Sequence, residues 1–141
     1  MVANSYATHV GASATQPGWN ARVASYLVAL HAYQEYRIDV YEPAIKAIND
    51  LKASGNTPLE RVAFINQYQF DNMETEFDRR ANSVLLMLRE LIAYPSPKLS
   101  DLLTKMEIAK ANDITSLAGA PELFDHIVED MRRLNNHGDY R

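Results

Sequence analysis

The residues with the clearest chemical potential are two carboxylate–imidazole pairs. His31-x-x-x-Glu35 and Glu122-x-x-x-His126 each place an imidazole and a carboxylate on one face of a helix, and two such pairs could share a metal ion. Di-metal helical bundles, however, use Glu-x-x-His pairs, and no Glu in this chain has His three residues later. The chain also has no Cys, which excludes thiolate ligands and disulfides. The simpler interpretation is two surface pairs, and we predict neither a metal nor another cofactor.

Catalytic motifs are missing as well. The sequence contains no Gly-x-Ser-x-Gly, no Cys nucleophile and no glycine-rich phosphate loop. Residues 74–78 hold three carboxylates, but Arg79 and Arg80 follow at once and neutralise them locally. This arrangement is typical of a solvated helix face, and the sequence therefore predicts a protein that is not an enzyme.

A group of polar residues lies on or beside positions that otherwise carry apolar side chains. Folding the chain back on itself near residue 55 brings position 34 opposite roughly position 76, which predicts a buried polar layer made of Gln34, Arg37, Asn66, Glu76 and Arg80. Such a layer either fixes the register of a bundle or forms a binding pocket. The second possibility makes a ligand- or metal-binding bundle, centred on positions 31–37, the alternative function.

Aromatic residues are more numerous than one buried stripe can hold. Tyr26, Tyr33 and Tyr36 occur within the first predicted helix, and the last two fall beside Val40 and partly off its apolar face. Exposed tyrosines at helical spacing are common anchors of protein interfaces. We predict an interface at these four residues, with a wide core face as the other interpretation.

Gly and Pro residues divide the chain into helical segments. Apolar residues recur at the helical period over positions 19–53, with a kink expected at Pro43, and over positions 58–94, with a break possible at Asp71-Asn72. Thr57-Pro58-Leu59-Glu60 is a capping box after Gly55, which suits a left-handed helix end. Two shorter helices are expected from about residue 97 to Gly119 and from 121 to 135. The predicted fold is all-α, a long antiparallel helical hairpin packed with two shorter helices in a three- to four-helix bundle.

The composition of the chain indicates how it is organised into domains. Residues 1–18 carry no charged side chain and are predicted to be a flexible tail, residues 19–135 a single helical domain, and residues 136–141 a frayed C-terminus. The net charge of −4 and the scattered basic residues argue against nucleic-acid binding. No apolar run is long enough for a membrane span, and the lack of Cys is typical of a cytoplasmic protein.

Three short strings carry a family resemblance. The chain resembles small uncharacterised helical proteins of alphaproteobacterial genomes and mobile elements at 32–43 (Ala-Tyr, then Tyr36 through Val40-Tyr-Glu-Pro), 95–106 (Pro-Ser-Pro-Lys-Leu through Leu-Leu-Thr-Lys-Met) and 130–134 (Asp-Met-Arg-Arg-Leu). The resemblance implies a cytoplasmic helical protein, brings no catalytic residues, and associates the chain with phages or other mobile elements.

These observations favour a non-enzymatic protein–protein interaction module. The expected partner is another protein or a second copy of the chain in a homodimer, and the mobile-element association points to a regulator or inhibitor of a host or defence complex. A ligand- or metal-binding bundle is the alternative, and a nucleic-acid-binding protein is third.

Overall fold

The computed structural model of the chain describes residues 18–67 and 69–137, and within these ranges the secondary structure is helical with no strand. The all-α class is thus confirmed. The elements are α1 (Trp19–Tyr36), a π-helical turn (Arg37–Tyr41), α2 (Glu42–Ala53), α3 (Pro58–Gln67), α4 (Phe70–Ala93), α5 (Leu99–Ala111), a 3₁₀ turn (Ile114–Ser116) and α6 (Ala120–His137). Apart from Gly18, the tail predicted over residues 1–18 lies outside the described residues, as do residues 138–141.

A π-helical turn, which is wider than an α-helical turn, lies where the sequence predicts a kink. The π-helical turn comes directly before Pro43, and the Glu42 amide donates to the carbonyl of Arg37, five residues back. Proline has no amide hydrogen and its ring crowds the carbonyl four residues earlier, here that of Asp39. An extra residue in the turn shifts that carbonyl away from the ring. The first predicted helix is therefore two α-helices joined by this turn.

The connection between α2 and α3 has the predicted cap. Gly55 has a φ of +80°, the left-handed conformation that closes α2. The Glu60 amide donates to Thr57 Oγ1 at 3.2 Å, and Glu60 Oε1 accepts from the Thr57 amide at 2.9 Å. These two reciprocal bonds are a capping box, and the hydrogen bonds that the Thr57 amide and hydroxyl donate to the Glu60 carboxyl lower its pKa.

The Thr57→Ala variant should lose about 1 kcal/mol of the free energy of unfolding, because the Glu60 amide loses its acceptor. Urea unfolding followed by circular dichroism at 222 nm measures the change. Thr75→Ala is a control, since Thr75 is also exposed and its hydroxyl donates only to the Asp71 carbonyl within one helix. Equal losses in the two variants would contradict a capping role for Thr57.

The second predicted helix is broken two residues before the expected place. Gln69 has a φ of +49°, and its carbonyl accepts from the amides of Asn72 at 3.0 Å and Met73 at 3.1 Å. The Asn72 side chain adds a 3.0 Å bond to Gln69 Oε1. The Asn72 side chain thus helps to fix the start of α4. Residues such as Asn favour helix ends because their side chains bond to nearby groups there, so the poor helix formers at 71–72 lie close to the break.

The third predicted helix ends earlier than expected, at Ala111 and not at Gly119. Asp113 adopts a left-handed φ of +49°, and its carboxylate accepts from the hydroxyls of Thr115 at 2.6 Å and Ser116 at 3.1 Å. These local bonds compete with helix continuation, and they also lower the pKa of Asp113. The last helix runs on to His137, so residues 136 and 137 are helical where fraying was predicted.

The described residues divide into two compact units. Unit 1 comprises residues 18–26 and 87–137, and unit 2 comprises Leu27–Leu86. Most buried apolar side chains belong to unit 1: Trp19, Tyr26, Leu88, Leu91, Ile92, Leu102, Ala109, Ile114, Leu123, Ile127 and Leu134. In unit 2 the buried apolar side chains among those described are Ala44, Ile48 and Val84.

Aromatic contacts join the two halves of unit 2. The ring centroid of Phe77 lies 3.9 Å from that of Tyr41 and 5.3 Å from that of Tyr33, and Tyr41 also stacks at 6.5 Å on Phe70. Tyr41 and Phe70, which are nearer the turn at 54–57, contact each other, and so do Tyr33 and Phe77, which are farther from it. The two halves are therefore antiparallel, as the predicted hairpin requires.

Candidate functional site

The predicted interface residues do not share one environment. Tyr26 is 3% exposed, and its hydroxyl accepts a 2.7 Å hydrogen bond from the Asn112 side chain. Tyr26 is therefore a core residue of unit 1, and its assignment to an interface was wrong, because its polar tip has an internal partner. Tyr33 and Tyr36 are half-buried, and Val40 is exposed.

The predicted polar layer is only partly present. Gln34 and Asn66 are exposed, so their assignment to a buried layer was wrong. Glu76 and Arg80 are half-buried and form an ion pair, in which Arg80 Nε lies 2.5 Å from Glu76 Oε2. Arg80 also donates to the carbonyl of Ala32 at 2.9 Å and lies over the Tyr36 ring at 4.6 Å. Arg80 thus contacts a carboxylate, a backbone carbonyl and an aromatic ring of the same unit.

Arg37 and Glu76, also predicted for the polar layer, each lie next to an oppositely charged side chain. Hydrogen bonds from Arg79 and Arg80 lower the pKa of Glu76 to about 2, so this carboxylate stays ionised at neutral pH. Arg37 Nη1 lies 3.6 Å from Glu42 Oε2, and its buried Nε makes no hydrogen bond with any described residue. Arg37, Glu76 and Arg80 are thus each paired with an opposite charge of the same chain.

A buried ionic cluster, which the sequence analysis missed, lies in unit 1. The Lys105 ammonium is fully buried and donates to the carbonyls of Ile92 at 2.8 Å and Tyr94 at 2.6 Å and to Asp130 Oδ2 at 2.5 Å. The same Asp130 oxygen accepts from the Ser96 amide at 3.2 Å and hydroxyl at 2.7 Å. We call Lys105, Asp130, Ser96 and their partner Arg133 the ionic cluster.

Hydrogen bonding favours the charged form of both ions in the cluster. Three acceptors surround Lys105 Nζ, and only an ammonium has three hydrogens to satisfy them. Burial lowers the pKa of Lys105, and the hydrogen bond to Asp130 opposes that change. Burial opposes ionisation of Asp130, but hydrogen bonds from Lys105, Ser96 and Arg133 outweigh it and hold the pKa of this carboxyl below its usual value. Arg133 donates to the other Asp130 oxygen at 3.0 Å and to the Ser96 carbonyl at 2.7 Å.

The cluster has a structural role. Lys105 satisfies carbonyls at the C-terminal end of α4, where a cation is favoured by the helix dipole. It offers no nucleophile, because the amine is ionised and has no exposed surface. A sequence signal existed: Lys105 falls between the buried Leu102 and Ala109, and Asp130 between Ile127 and Leu134, each at an apolar-stripe position. Opposite charges at core positions of two helices indicate a buried pair.

The candidate functional site is an apolar groove between α5 and α6. One cavity of about 480 Å³ is lined by Leu99 from the first half of α5 and by Leu134 from the second half of α6. A second of about 390 Å³ is lined by Met106 from the second half of α5 and by Phe124 from the first half of α6. The two helices are therefore antiparallel, and the cavities share Val128 and Met131, so they are two ends of one groove.

Five large apolar side chains that line the two cavities are exposed, and the exposed Leu103 lies on the same face of α5 outside both linings. Each helix contributes three at steps of four and three residues, so each set forms one stripe on its helix. The six side chains and their exposed fractions are Leu99 38%, Leu103 54%, Met106 40%, Phe124 41%, Val128 38% and Met131 44%. We call these six residues the groove stripe. Methionine-rich apolar grooves between helices are a common receptor for an amphipathic helix.

Charged residues border the groove. Lys110 and Arg132 line its two cavities. Asp125 is exposed and precedes Arg132 by seven residues, two helical turns, on the same side of α6. Arg132 contacts Glu129 at 3.2 Å, but both side chains are about two-thirds exposed, so the pair contributes little.

The candidate metal-binding pairs are surface features. His31 Nε2 lies 3.7 Å from Glu35 Oε2 with both side chains mostly exposed, and Glu122 and His126 are exposed on α6. Within residues 18–67 and 69–137, no three side chains of the metal-ligating types converge. Across the same ranges, no helix combines the length and hydropathy of a membrane-spanning segment.

Comparison with models of protein families, with curated protein sequences and with solved structures found no match to this chain.

Proposed function

We propose that this chain is a non-enzymatic protein–protein interaction module that binds a partner helix in the groove between α5 and α6. The observation that carries the proposal is the groove stripe, six large apolar side chains on one face that are each more than a third exposed. A contiguous apolar patch of a few hundred Å² on a soluble protein is often a functional binding surface.

The distribution of charge supports a protein partner over a nucleic acid. The Arg79-Arg80 doublet is engaged by Glu76, and in the second doublet Arg133 is engaged by Asp130. Phosphate binding needs cations that are free to replace counterions. Both arginine doublets are instead bonded to carboxylates of the same chain.

We extend the proposal to regulation. A small module that covers the apolar face of a helix withholds that helix from its own assembly. This is the way in which a protein of a mobile element would inhibit a host or defence complex.

Photo-crosslinking tests which surface makes the contact. A benzophenone amino acid placed at Val128, 38% exposed, should yield a discrete crosslinked protein in cells that express the chain. Val40 is a matched control, because it is 37% exposed and belongs to the interface predicted from the sequence. Val62 on α3, 53% exposed, reports on nonspecific contact.

The three positions separate the possible results. A protein adduct at Val128 well above the yield at Val62 supports the groove. An adduct at Val40 alone would move the contact to unit 2, and equal yields at all three positions would contradict a specific interaction surface. Mass spectrometry of the adduct identifies the partner.

A further inference from the structure

We propose that the groove is occupied by a second copy of this chain, docked groove to groove about a two-fold axis that sets the two α6 helices antiparallel. The inference rests on the proposed function and names its partner. A two-fold interface uses the same patch on both copies, so every contact occurs twice.

The spacing of the groove stripe suits this arrangement. On α6, Phe124 and Met131 lie on either side of Val128 by four and three residues. If the axis passes near Val128, Phe124 of each copy lies against the Met131 end of the other, and the two Val128 side chains meet. On α5, Leu99 and Met106 lie in the same way on either side of Leu103. Both stripes are thus close to symmetric about their centres.

The bordering charges select the antiparallel orientation. Asp125 and Arg132 lie on the same side of α6 and on opposite sides of Val128 along the helix. Antiparallel pairing brings Asp125 of each copy near Arg132 of the other, which makes two ion pairs. Parallel pairing would place each of these residues against the same residue of the other copy and bring like charges together. Asp125 is exposed and so available for this contact.

The exposed area suits a reversible dimer. The six side chains offer roughly 400–500 Å² per copy, so the interface would bury about 1,000 Å² in total, at the lower limit for specific association. Dissociation at low concentration is therefore expected.

Charge reversal in the purified full-length chain tests the arrangement. The wild-type protein should change from monomer to dimer with rising concentration in sedimentation equilibrium. Asp125→Arg and Arg132→Asp should each raise the dimer dissociation constant about tenfold or more, because each variant alone sets like charges opposite. An equimolar mixture of the two variants should associate as tightly as wild type or nearly so, because both contacts are then of opposite sign.

A disulfide reports the position of the axis. The chain has no Cys, so Val128→Cys introduces a single thiol, which should form an intermolecular disulfide with copper phenanthroline as the oxidant. Val40→Cys, of matched exposure, should not. Restored association in the mixture also shows that both variants fold, since an unfolded variant could not pair with the other.

Three results would overturn the inference: a wild-type monomer at millimolar concentration, a dimer that both charge reversals leave unchanged, or a mixture no tighter than the separate variants. The proposed function fails separately. A Val128 crosslink to a different protein, together with a wild-type monomer, would retain the groove as an interaction surface and exclude the second copy as its occupant.

Discussion

Lys105→Met should lower the free energy of unfolding by about 3–5 kcal/mol, the range for breaking a buried ion pair by removing one partner. The methionine fills much of the lysine volume, so the cost comes from Asp130, which stays buried, loses its fully buried counterion and keeps only the partly exposed Arg133 as a cationic partner. The carbonyls of Ile92 and Tyr94 also lose their donor. Urea unfolding of the variant and the wild type measures the difference.

A control and a double variant make this prediction specific. Lys110→Met removes an exposed lysine from the same helix and should change stability by about 0.5 kcal/mol or less. Adding Asp130→Asn to Lys105→Met removes the carboxylate that has lost its buried partner, so the double variant should cost clearly less than the sum of the two single variants. Strict additivity would mean that the two ions do not stabilise each other in the folded protein.

Leu88→Ala should cost about 2–5 kcal/mol, because it leaves a cavity at a side chain with no exposed surface. The matched control is two residues away in the same helix: Leu86 is 54% exposed, and Leu86→Ala should cost less than about 1 kcal/mol. Both substitutions have the same effect on helix propensity, so their difference isolates burial. Thermal unfolding of the two variants side by side gives that difference, and equal midpoints would contradict the placement of the core.

Local features were predicted well from the sequence. The capping box at Thr57 and the left-handed Gly55 depend on residues within one turn of each other, so their pattern is sufficient. The perturbation at Pro43 is equally local. The all-α class follows from helical periodicity over most of the chain.

Features that depend on distant partners were not predicted. Lys105 looks like a surface residue until Asp130, from another helix, is placed beside it, and burial of either ion alone would be prohibitive. Tyr26 looked available to a partner because its bond to Asn112 joins residues far apart in sequence. The exposed groove stripe has the same composition as a core stripe, and only tertiary packing distinguishes the two.

The position of α3 has a consequence for how the chain unfolds. This helix has no buried side chain and lies between Gly55 and Gln69, both in left-handed conformations. Local unfolding of α3 exposes little new apolar surface, so its amide hydrogens should exchange with solvent through small local fluctuations. The last turns of α4, which hold the fully buried Leu88, Leu91 and Ile92, can exchange only when the whole of unit 1 opens. The molecule therefore has a low-energy route to partial unfolding that leaves the groove between α5 and α6 intact.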